Sequence, residues 1–275
     1  MSSELAQSTS IASLARSLRR HRALILQLVV REVAGRYKGA VLGIVWSLIN
    51  PALMLTVYTF FFSTVFKARW SGAEESRTQF AVVLFAGLIV HGMFAEIVNR
   101  APALMTGNVN FVKRVVFPLE ILPVVGALSA LFHALVSLAV LLVAFVAFNG
   151  FLQPTVVLFP LVLLPLIPVT LGVAWTLASL GVFVRDLGQV VGAFTTVLLF
   201  LSPVFFPLSA LPEAFRPWMK LNPLTFVIEQ FRDVLIWGRM PDWTGLLAYT
   251  ALSVAIAWIG YAWFQKTRTG FADVL

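Results

Sequence analysis

Six long runs of apolar residues constrain this chain of 275 residues more than any other feature. An α-helix needs about 20 apolar residues to cross the hydrocarbon core of a bilayer, which is roughly 30 Å thick. The runs lie approximately at residues 41–66, 79–98, 120–148, 155–184, 189–207 and 244–264. The chain is 60% hydrophobic and 12% charged, whereas soluble domains are about 45–50% apolar and about 25% charged. The sequence therefore predicts an all-α integral membrane protein with six transmembrane helices.

The distribution of Lys and Arg predicts the orientation of these helices, because cytoplasmic loops carry an excess of cations. With the N-terminus inside, thirteen cations lie on the cytoplasmic side and seven outside, which together are the 20 Lys and Arg of the chain. We therefore expect cytoplasmic N- and C-termini, and the formal net charge of +8 requires no nucleic-acid partner. The chain has no cysteine, which excludes disulfides, thiolate metal sites and a cysteine nucleophile.

Two segments precede the first apolar run. Residues 1–15 are mostly small and polar, and we expect a flexible cytoplasmic N-terminus there. Residues 16–38 predict a basic amphipathic helix that lies in the membrane interface with its cations towards anionic headgroups. Its apolar residues recur at helical spacing: Leu26, Val29, Val30, Val33 and Tyr37. Either an orientation anchor alone or an added contact with a cytoplasmic partner accounts for such a helix.

A proline-rich segment at residues 203–243 lies between the fifth and sixth runs, on the outer side by the cation count. Thr225 is placed to cap a helix over residues 226–237, where apolar residues alternate with charged ones such as Arg232. Such a helix is too charged to span a bilayer and too apolar to remain in water. We expect a pair of short re-entrant helices, since irregular backbone at membrane depth is tolerated where protein buries it. An ordinary outer loop resting on the membrane is the alternative.

The sequence NFVKRVVFPLE, residues 110–120, separates the second and third runs on the cytoplasmic side. Pro118 ends any preceding helix, because the residue before a proline avoids the α conformation. Glu120 then falls in the first turn of the third span, where a carboxylate meets the positive end of the helix dipole. Lys113 and Arg114 either enforce topology alone or form part of a surface that a cytoplasmic partner grips.

Five segments together resemble a known family in order and spacing. They are GRYKGAVLGIVWSLINPALMLTVYTFFFSTVFK (35–67), NFVKRVVFPLEILP (110–123), VFVRDLGQVV (182–191), LSPVFFPLSALP (201–212) and LNPLTFVIEQFRDVLIWG (221–238). Over about residues 20–275 the chain resembles the permease subunits of ABC type-2 polysaccharide exporters. It is most similar to the Wzm-type permeases that export O-antigen and to exporters of teichoic acid and capsular polysaccharide.

The resemblance implies a transport subunit rather than an enzyme, with residues 39–275 as a six-span ABC type-2 permease domain. It implies a homodimer in a bacterial inner membrane, paired with two copies of a separate ABC ATPase on the cytoplasmic side. The substrate it implies is a polyprenyl-diphosphate-linked glycan moved from the cytoplasmic to the outer side. This chain lacks the phosphate-binding pattern G-x-x-x-x-G-K-[ST], so we expect no cofactor in it and Mg-ATP bound by the partner.

The same resemblance implies a coupling helix at about residues 106–117 that docks on the ATPase, and an outer gate loop at about 203–243. The contact residues of the coupling helix are Asn110, Phe111, Val112, Lys113 and Arg114, with Phe111 as the apolar anchor. For the lipid-diphosphate entry the candidates are Arg36 and Lys38 at the inner interface, although both also serve as positive-inside charges.

Two further sites follow from residue chemistry. Aromatic faces offer weak, broad contact to sugar rings and let a polymer slide. The candidate channel-lining residues are Tyr58, Phe62 and Phe205. The alternative is that these rings belong to the aromatic belt at the membrane interface. Glu96 and Arg100 stand four residues apart at the inner end of the second span and are expected to form a structural ion pair. We predict no metal site.

Three other functions compete with glycan export. An ABC type-2 permease for a drug or small lipid is the nearest alternative and would need a lateral pocket rather than a continuous channel. A membrane enzyme acting on polyprenyl-linked sugars would need paired carboxylates, whereas Glu96 alone among the twelve acidic residues lies well within a predicted span. An ion channel would need a filter or a ring of charges, and the sequence contains no obvious one.

Overall fold

A computed structural model describes residues 10–65, 70, 77–113 and 117–275 of the chain. Within these residues the regular structure is helical throughout, without a β-strand. The α-helices are α1 (Ile11–Arg20), α2 (Arg22–Arg36), α3 (Trp46–Thr59), α4 (Arg77–Arg100), α5 (Val109–Val112), α6 (Ile121–Asn149), α7 (Phe159–Leu163), α8 (Leu166–Phe183), α9 (Leu187–Phe200), α10 (Arg216–Lys220), α11 (Pro223–Arg232), α12 (Trp243–Thr267) and α13 (Phe271–Val274). The prediction of an all-α membrane protein is confirmed.

Five helical stretches, rather than the six predicted, are long and apolar enough to cross a bilayer in the described part of the chain. They are Gly43–Phe62, Gln79–Ala103, Ile121–Asn149, Pro154–Phe183 and Trp243–Val274. The fifth predicted span, 189–207, is represented by α9, whose 14 residues extend about 21 Å at the usual helical rise. The helix ends at Phe200, shortly before Pro203, since the residue before a proline avoids helical conformation.

Helix α4 is the centre of the bundle. It packs against α3, α6, α8, α9 and α11, and side chains around it are fully enclosed, including Ala81, Val83, Ala86 and Val90 at 0% exposure. Helix α4 is therefore the element that these five helices share as a packing partner.

Two glycines allow α8 and α12 to approach each other closely. A Cβ atom on Gly172 would lie 2.5 Å from the carbonyl oxygen of Ile256, and one on Gly260 would collide with the carbonyl group of Gly172. Lipid supplies no hydrophobic drive for helix association, so small residues that let backbones meet are a main source of packing in a bilayer. This pair of helices forms a tightly packed scaffold beside α4.

The two ends of the bundle are distinguished by the segments of the chain that lie there. Val83 and Arg100 are separated by 17 positions of α4, or about 25 Å of helix, and contact different segments: Val83 meets Arg232, whereas Arg100 meets Glu32 of α2. We call the end of the bundle that contains Val83 the hairpin end, because residues 207–237 lie there. We call the end that contains Arg100 the terminal end. Both the start of α1 and the C-terminus belong to the terminal end, since Ser17 and Arg268 contact Glu120 there.

The N-terminal segment is a helix pair rather than a single helix over 16–38. Helix α1 begins at Ile11 with the Ser10 hydroxyl accepting from the amide of Ala12, so residues 11–15 are helical where a flexible N-terminus was expected. The chain breaks at His21, and α2 packs on α6 through Ile25, Leu28 and Val33. Leu26 and Val30, predicted to share the apolar face with Val33, are instead exposed by 65% and 61%, since α2 turns Ile25, Leu28 and Val33 to the bundle.

Two short helices, α10 and α11, occupy the segment for which a helix pair was predicted. Helix α11 begins at Pro223, and Asn222 caps it by accepting from the amide of Leu224 at 2.9 Å. The predicted cap, Thr225, is instead buried inside the first turn at 3% exposure. Proline suits the first helical position and asparagine the position before it, so the pair Asn222-Pro223 displaces the helix start from the predicted residue.

The close approach of α8 and α12 yields a stability prediction. Gly260→Ala should lower the thermal midpoint of the purified protein in detergent, because a methyl group against a backbone carbonyl forces the helices apart and overpacking costs about 1–3 kcal/mol. Gly92→Ala is the matched control: it lies in the interior of α4 with open space around its Cβ position. Alanine there should leave the midpoint unchanged or raise it. Equal melting curves for Gly260→Ala and wild type would contradict this packing.

Candidate functional site

The segment predicted to couple to a partner begins as two short helical turns. A 3₁₀ turn spans Thr106–Asn108 and leads into α5, Val109–Val112. The side chain of Asn108 donates to the carbonyl oxygen of Leu104 at 2.9 Å, which ties the start of the segment to the 3₁₀ turn Ala101–Ala103 that follows α4. Arg114, the last predicted contact residue, lies outside the described residues.

The face of this segment that is open to a partner is polar. Asn110 and Lys113 are exposed, whereas Val112 is buried at 8% exposure. Phe111, predicted as an apolar anchor for the ATPase, stacks on Phe117 with ring centroids 4.3 Å apart and planes 5° from parallel. The ring pair brings α5 into contact with the residue that lies three positions before Glu120.

Glu120 connects this segment to two other parts of the chain at the terminal end. Its carboxylate accepts from the hydroxyl of Ser17 on α1 at 2.8 Å and lies 3.0 Å from the guanidinium of Arg268, just after α12. Its carbonyl oxygen accepts from the indole of Trp175 on α8 at 3.0 Å. We call these four residues the Glu120 junction. The sequence predicted only a carboxylate at a helix start and did not reveal these partners.

A second set of charged groups joins α2, α4 and α6. The Glu96 carboxylate lies 2.5 Å from the guanidinium of Arg36 and 2.9 Å from Nδ1 of His133. Arg100 lies 2.7 Å from the carboxylate of Glu32. The predicted pair of Glu96 with Arg100 is present only at 4.0 Å, because each member has a closer partner. We call these five residues the inner ion cluster.

The two candidates for diphosphate entry are in different surroundings. Arg36 is half-exposed and shared between Glu96 and His133, and it lines a cleft of about 300 Å³ with Glu32, Arg100 and Ser129. Lys38 follows α2 and is exposed, and no ion pair of its side chain occurs among the described residues. An anion that approaches Arg36 must therefore compete with a carboxylate, whereas Lys38 is open to it.

The three aromatic residues predicted to line a channel are each partly exposed and each packed on another ring. Tyr58 lies 6.4 Å from Phe62 between ring centroids and borders a cleft of about 290 Å³ with Asn50 and Pro51. Phe62 also packs on Phe80 at 5.1 Å. Phe205 stacks on Phe200 at 5.6 Å, beyond the end of α9. Tyr58 and Phe62 thus form one group, and Phe205 belongs to a different segment.

The hairpin end holds a charged residue whose role the sequence did not reveal. Arg232, counted from the sequence among the outer cations, is buried at 2% exposure. It donates to backbone carbonyls of Val83, Pro203 and Val204, and its other partner is the Glu229 carboxylate at 3.2 Å. Burial lowers the pKa of Arg232 to about 10, although the charge of Glu229 opposes the change. The guanidinium therefore remains charged at neutral pH.

A signal for the burial of Arg232 was present in the sequence. Residues four apart share a face of a helix, and Arg232 follows Ile228 and Leu224 at this spacing. Both of these side chains are fully enclosed. Helical spacing could therefore have identified an inward-facing arginine, whereas the cation count treated every arginine of the segment alike.

Comparison with known proteins assigns the chain to a family. The family model described as ABC-2 type transporter matches residues 23–236. The chain is similar to the "O-antigen export system permease protein RfbA" of Myxococcus xanthus, at 31% identity over 94% of this chain and 98% of that protein. It is also similar to a protein of the same name from Klebsiella pneumoniae, at 24% identity over 92% and 95% of the two chains. The "Polysialic acid transport protein KpsM" of Escherichia coli is 23% identical over 86% and 91%.

The matched region includes α2 to α11 and therefore contains the inner ion cluster, the coupling segment and Arg232. The family predicted from the five sequence segments is confirmed: this chain belongs to the ABC-2 type transporter family.

Proposed function

We propose that this chain is the membrane permease subunit of an ATP-driven exporter that moves a lipid-linked polysaccharide from the cytoplasmic to the outer side of a bacterial inner membrane. The observation that carries the proposal is similarity over nearly the whole length to permeases named for O-antigen export. A homodimer of this chain acts with two copies of a separate ABC ATPase. The ATPase binds Mg-ATP, and this chain is a transport subunit without a catalytic site.

The terminal end is the cytoplasmic side in this proposal. Helix α1 and the segment after α12 meet there at Glu120, and the basic residues Arg19 and Arg20 of α1 lie at the same end. A cationic end agrees with the positive-inside rule. The exposed Asn110 and Lys113 then face the cytoplasm, where an ATPase can contact them.

Movement of the coupling segment has a physical route into the bundle. The ring stack connects Phe111 of α5 directly to Phe117, and Phe117 is three residues from Glu120. Glu120 is bonded to α1, to α8 and to the segment after α12. A push on the loop therefore acts on three elements together rather than on α6 alone. These bonds are the means by which ATP-driven motion becomes motion of the helices.

A long glycan needs a continuous path in which no single site binds it tightly enough to stop its movement. The aromatic surface of Tyr58, Phe62 and Phe205 offers weak contacts to the C–H faces of sugar rings. Helices α3 and α9 leave large apolar side chains exposed, including Leu53 on α3 and Phe194 on α9. A second copy of the chain that covers part of these surfaces would enclose a channel between the two permeases.

The diphosphate of the carrier lipid enters at the terminal end in this proposal. Lys38 offers an open charge, while Arg36 has to exchange Glu96 for a phosphate oxygen. The guanidinium group favours phosphate because its donors match the oxygens in pairs. Arg36 thus combines an anion-binding side chain with a competing carboxylate that limits binding of smaller anions.

Co-purification with the ATPase tests the proposed function and the coupling segment together. The wild-type chain should co-purify with its ATPase, and the lipid-linked polymer should stimulate hydrolysis. Lys113→Glu should abolish co-purification and export, since it reverses the charge of an exposed contact residue, without reducing the amount of protein in the membrane. Lys220→Glu, at the opposite end, is the control and should associate normally. A Lys113→Glu complex that assembles and exports at the wild-type rate would show that the segment does not dock.

The Glu120 junction predicts a defect of coupling rather than of assembly. Glu120→Gln keeps the shape but removes the charge that Arg268 faces, so ATP hydrolysis by the complex should continue while polymer exported per ATP falls between about twofold and thirtyfold. Glu213→Gln, an exposed carboxylate 3.7 Å from Arg216, should leave the ratio unchanged. A Glu120→Gln complex with the wild-type ratio of export to hydrolysis would refute the route described above.

Truncation of the aromatic residues tests the channel. Tyr58→Ala should slow polymer export at constant dimer content, because it removes a ring from the proposed path, with pulse-labelled polymer as the measurement. Phe145→Ala serves as the comparison variant, because it removes a buried ring that packs on Phe151. This variant should lower the thermal midpoint of the protein. If Tyr58→Ala exports at the wild-type rate, Tyr58 does not line the channel.

A further inference from the structure

The guanidinium of Arg232 binds the backbone of two separate segments. Its Nε donates to the carbonyl oxygen of Val83 on α4 at 3.0 Å. Its Nη1 and Nη2 donate to the carbonyl oxygens of Pro203 and Val204 at 2.6 and 3.0 Å. Helix α11 is therefore attached through one side chain both to the central helix and to the turn that follows α9.

The surroundings of Arg232 are shaped to receive it. A Cβ atom on Gly87 would lie 2.8 Å from Nη2 of Arg232 and 3.3 Å from Cα of Val204. The guanidinium also lies over the ring of Trp70, 4.4 Å from its centroid, which is a favourable arrangement for a cation on an aromatic face. Gly87 thus leaves the space that Arg232 and the turn occupy, and Trp70 covers the guanidinium.

Burial of this charge is costly unless it is paired and hydrogen-bonded, as removing a charged group from water costs several kcal/mol. Its carboxylate partner, Glu229, is itself 37% exposed. The carbonyl groups of Pro203 and Val204 belong to an irregular turn, and such groups need a donor wherever water is absent. Arg232 supplies donors to these two carbonyls and to Val83, which gives a functional reason for an arginine at this position.

Helix α11 holds the same turn from its other end as well. The side-chain amide of Asn222, the cap of α11, donates to the carbonyl oxygen of Leu201 at 2.9 Å and to the hydroxyl of Ser202 at 2.8 Å. Four consecutive residues, Leu201 to Val204, are therefore bound by the two ends of one helix. The next residue in the chain is Phe205, whose ring stacks on Phe200.

We propose that Arg232 is a positioning residue of the outer gate: with Asn222 it fixes the turn 201–204 against α4 and so holds the ring of Phe205 in the closed channel. The proposal rests on the proposed function, because it takes Phe205 as part of a channel. It adds that α11 is the element to which the gate is attached, and that Arg232 determines how tightly the resting channel is sealed.

The test is the passive leak of the resting complex. The permease with its ATPase is reconstituted in liposomes without nucleotide or polymer, and the efflux of an entrapped small fluorescent anion is measured. Arg232→Lys retains the charge but cannot reach three carbonyls with a fixed fork of donors. Gly87→Ala retains Arg232 and displaces its guanidinium. Both variants should raise the leak about tenfold or more, because charge-assisted bonds that hold the turn are lost.

The control is Arg239→Lys, a 73% exposed cation at the same end, 3.7 Å from Asp233. It should leave the leak at the wild-type level. Phe205→Ala should also raise the leak, and Gly87→Ala combined with Phe205→Ala should leak no more than the larger single effect, because both changes act on one element. A leak that is additive in the double variant would contradict the link between Arg232 and Phe205.

A purely structural role gives a different result. Gly87→Ala and Arg232→Lys would then lower the thermal midpoint of the complex while the passive leak stayed at the wild-type level, and the proposal would be overturned. Should Arg232→Lys fail to assemble, Gly87→Ala decides the question alone. The proposed function fails separately, if the wild-type complex hydrolyses ATP without moving polymer, and the leak assay does not depend on that outcome.

Discussion

The rest of this structure depends on one requirement. Every backbone polar group and every charge must find a partner inside the protein. In a bilayer there is no water to satisfy a carbonyl or an ammonium group, so helices are the economical structure and each irregular segment needs its own donors. The structure meets this demand with a few side chains. Glu120 serves the entry to α6, and Arg232 serves the turn after α9. Each of these two irregular segments thus contains or contacts a charged side chain that has several partners.

This concentration explains why structural and functional roles coincide. A transporter has to move, and the points at which it can move are the junctions between helices rather than the helices themselves. The inner ion cluster joins three helices through Glu96, while the Glu120 junction joins the start of α6 to both terminal segments. Hydrogen-bonded ion pairs of this kind can exchange partners when an element shifts, whereas close-packed contacts such as Gly172 on α12 cannot. The structure thus joins some of its helices through charged side chains and joins α8 to α12 through close packing.

Much of the fold was predictable from hydropathy, but the polar junctions were not. Length and composition gave the helical membrane class, and helical spacing located a short helix in the segment that became α11. The pairing of Glu96 was missed because spacing along one helix identifies Arg100, whereas the closer partners, Arg36 and His133, come from α2 and α6. Contacts between residues distant in sequence depend on how helices pack, and one sequence contains no direct record of that. The count of six spans is not confirmed for a local reason, the turn before Pro203 that limits α9 to 14 residues.

The geometry of α4 limits how the two ends of the bundle can communicate. It carries the inner ion cluster at Glu96 and the carbonyl of Val83 that receives Arg232, and these positions are 13 residues, or about 20 Å, apart on one helix. A close-packed, enclosed helix transmits displacement as a rigid body rather than by local bending. A tilt of α4 driven from the terminal end would therefore carry Arg232 and the turn that it binds along with it. In that arrangement the seal at the hairpin end follows the position of α4 and needs no separate signal.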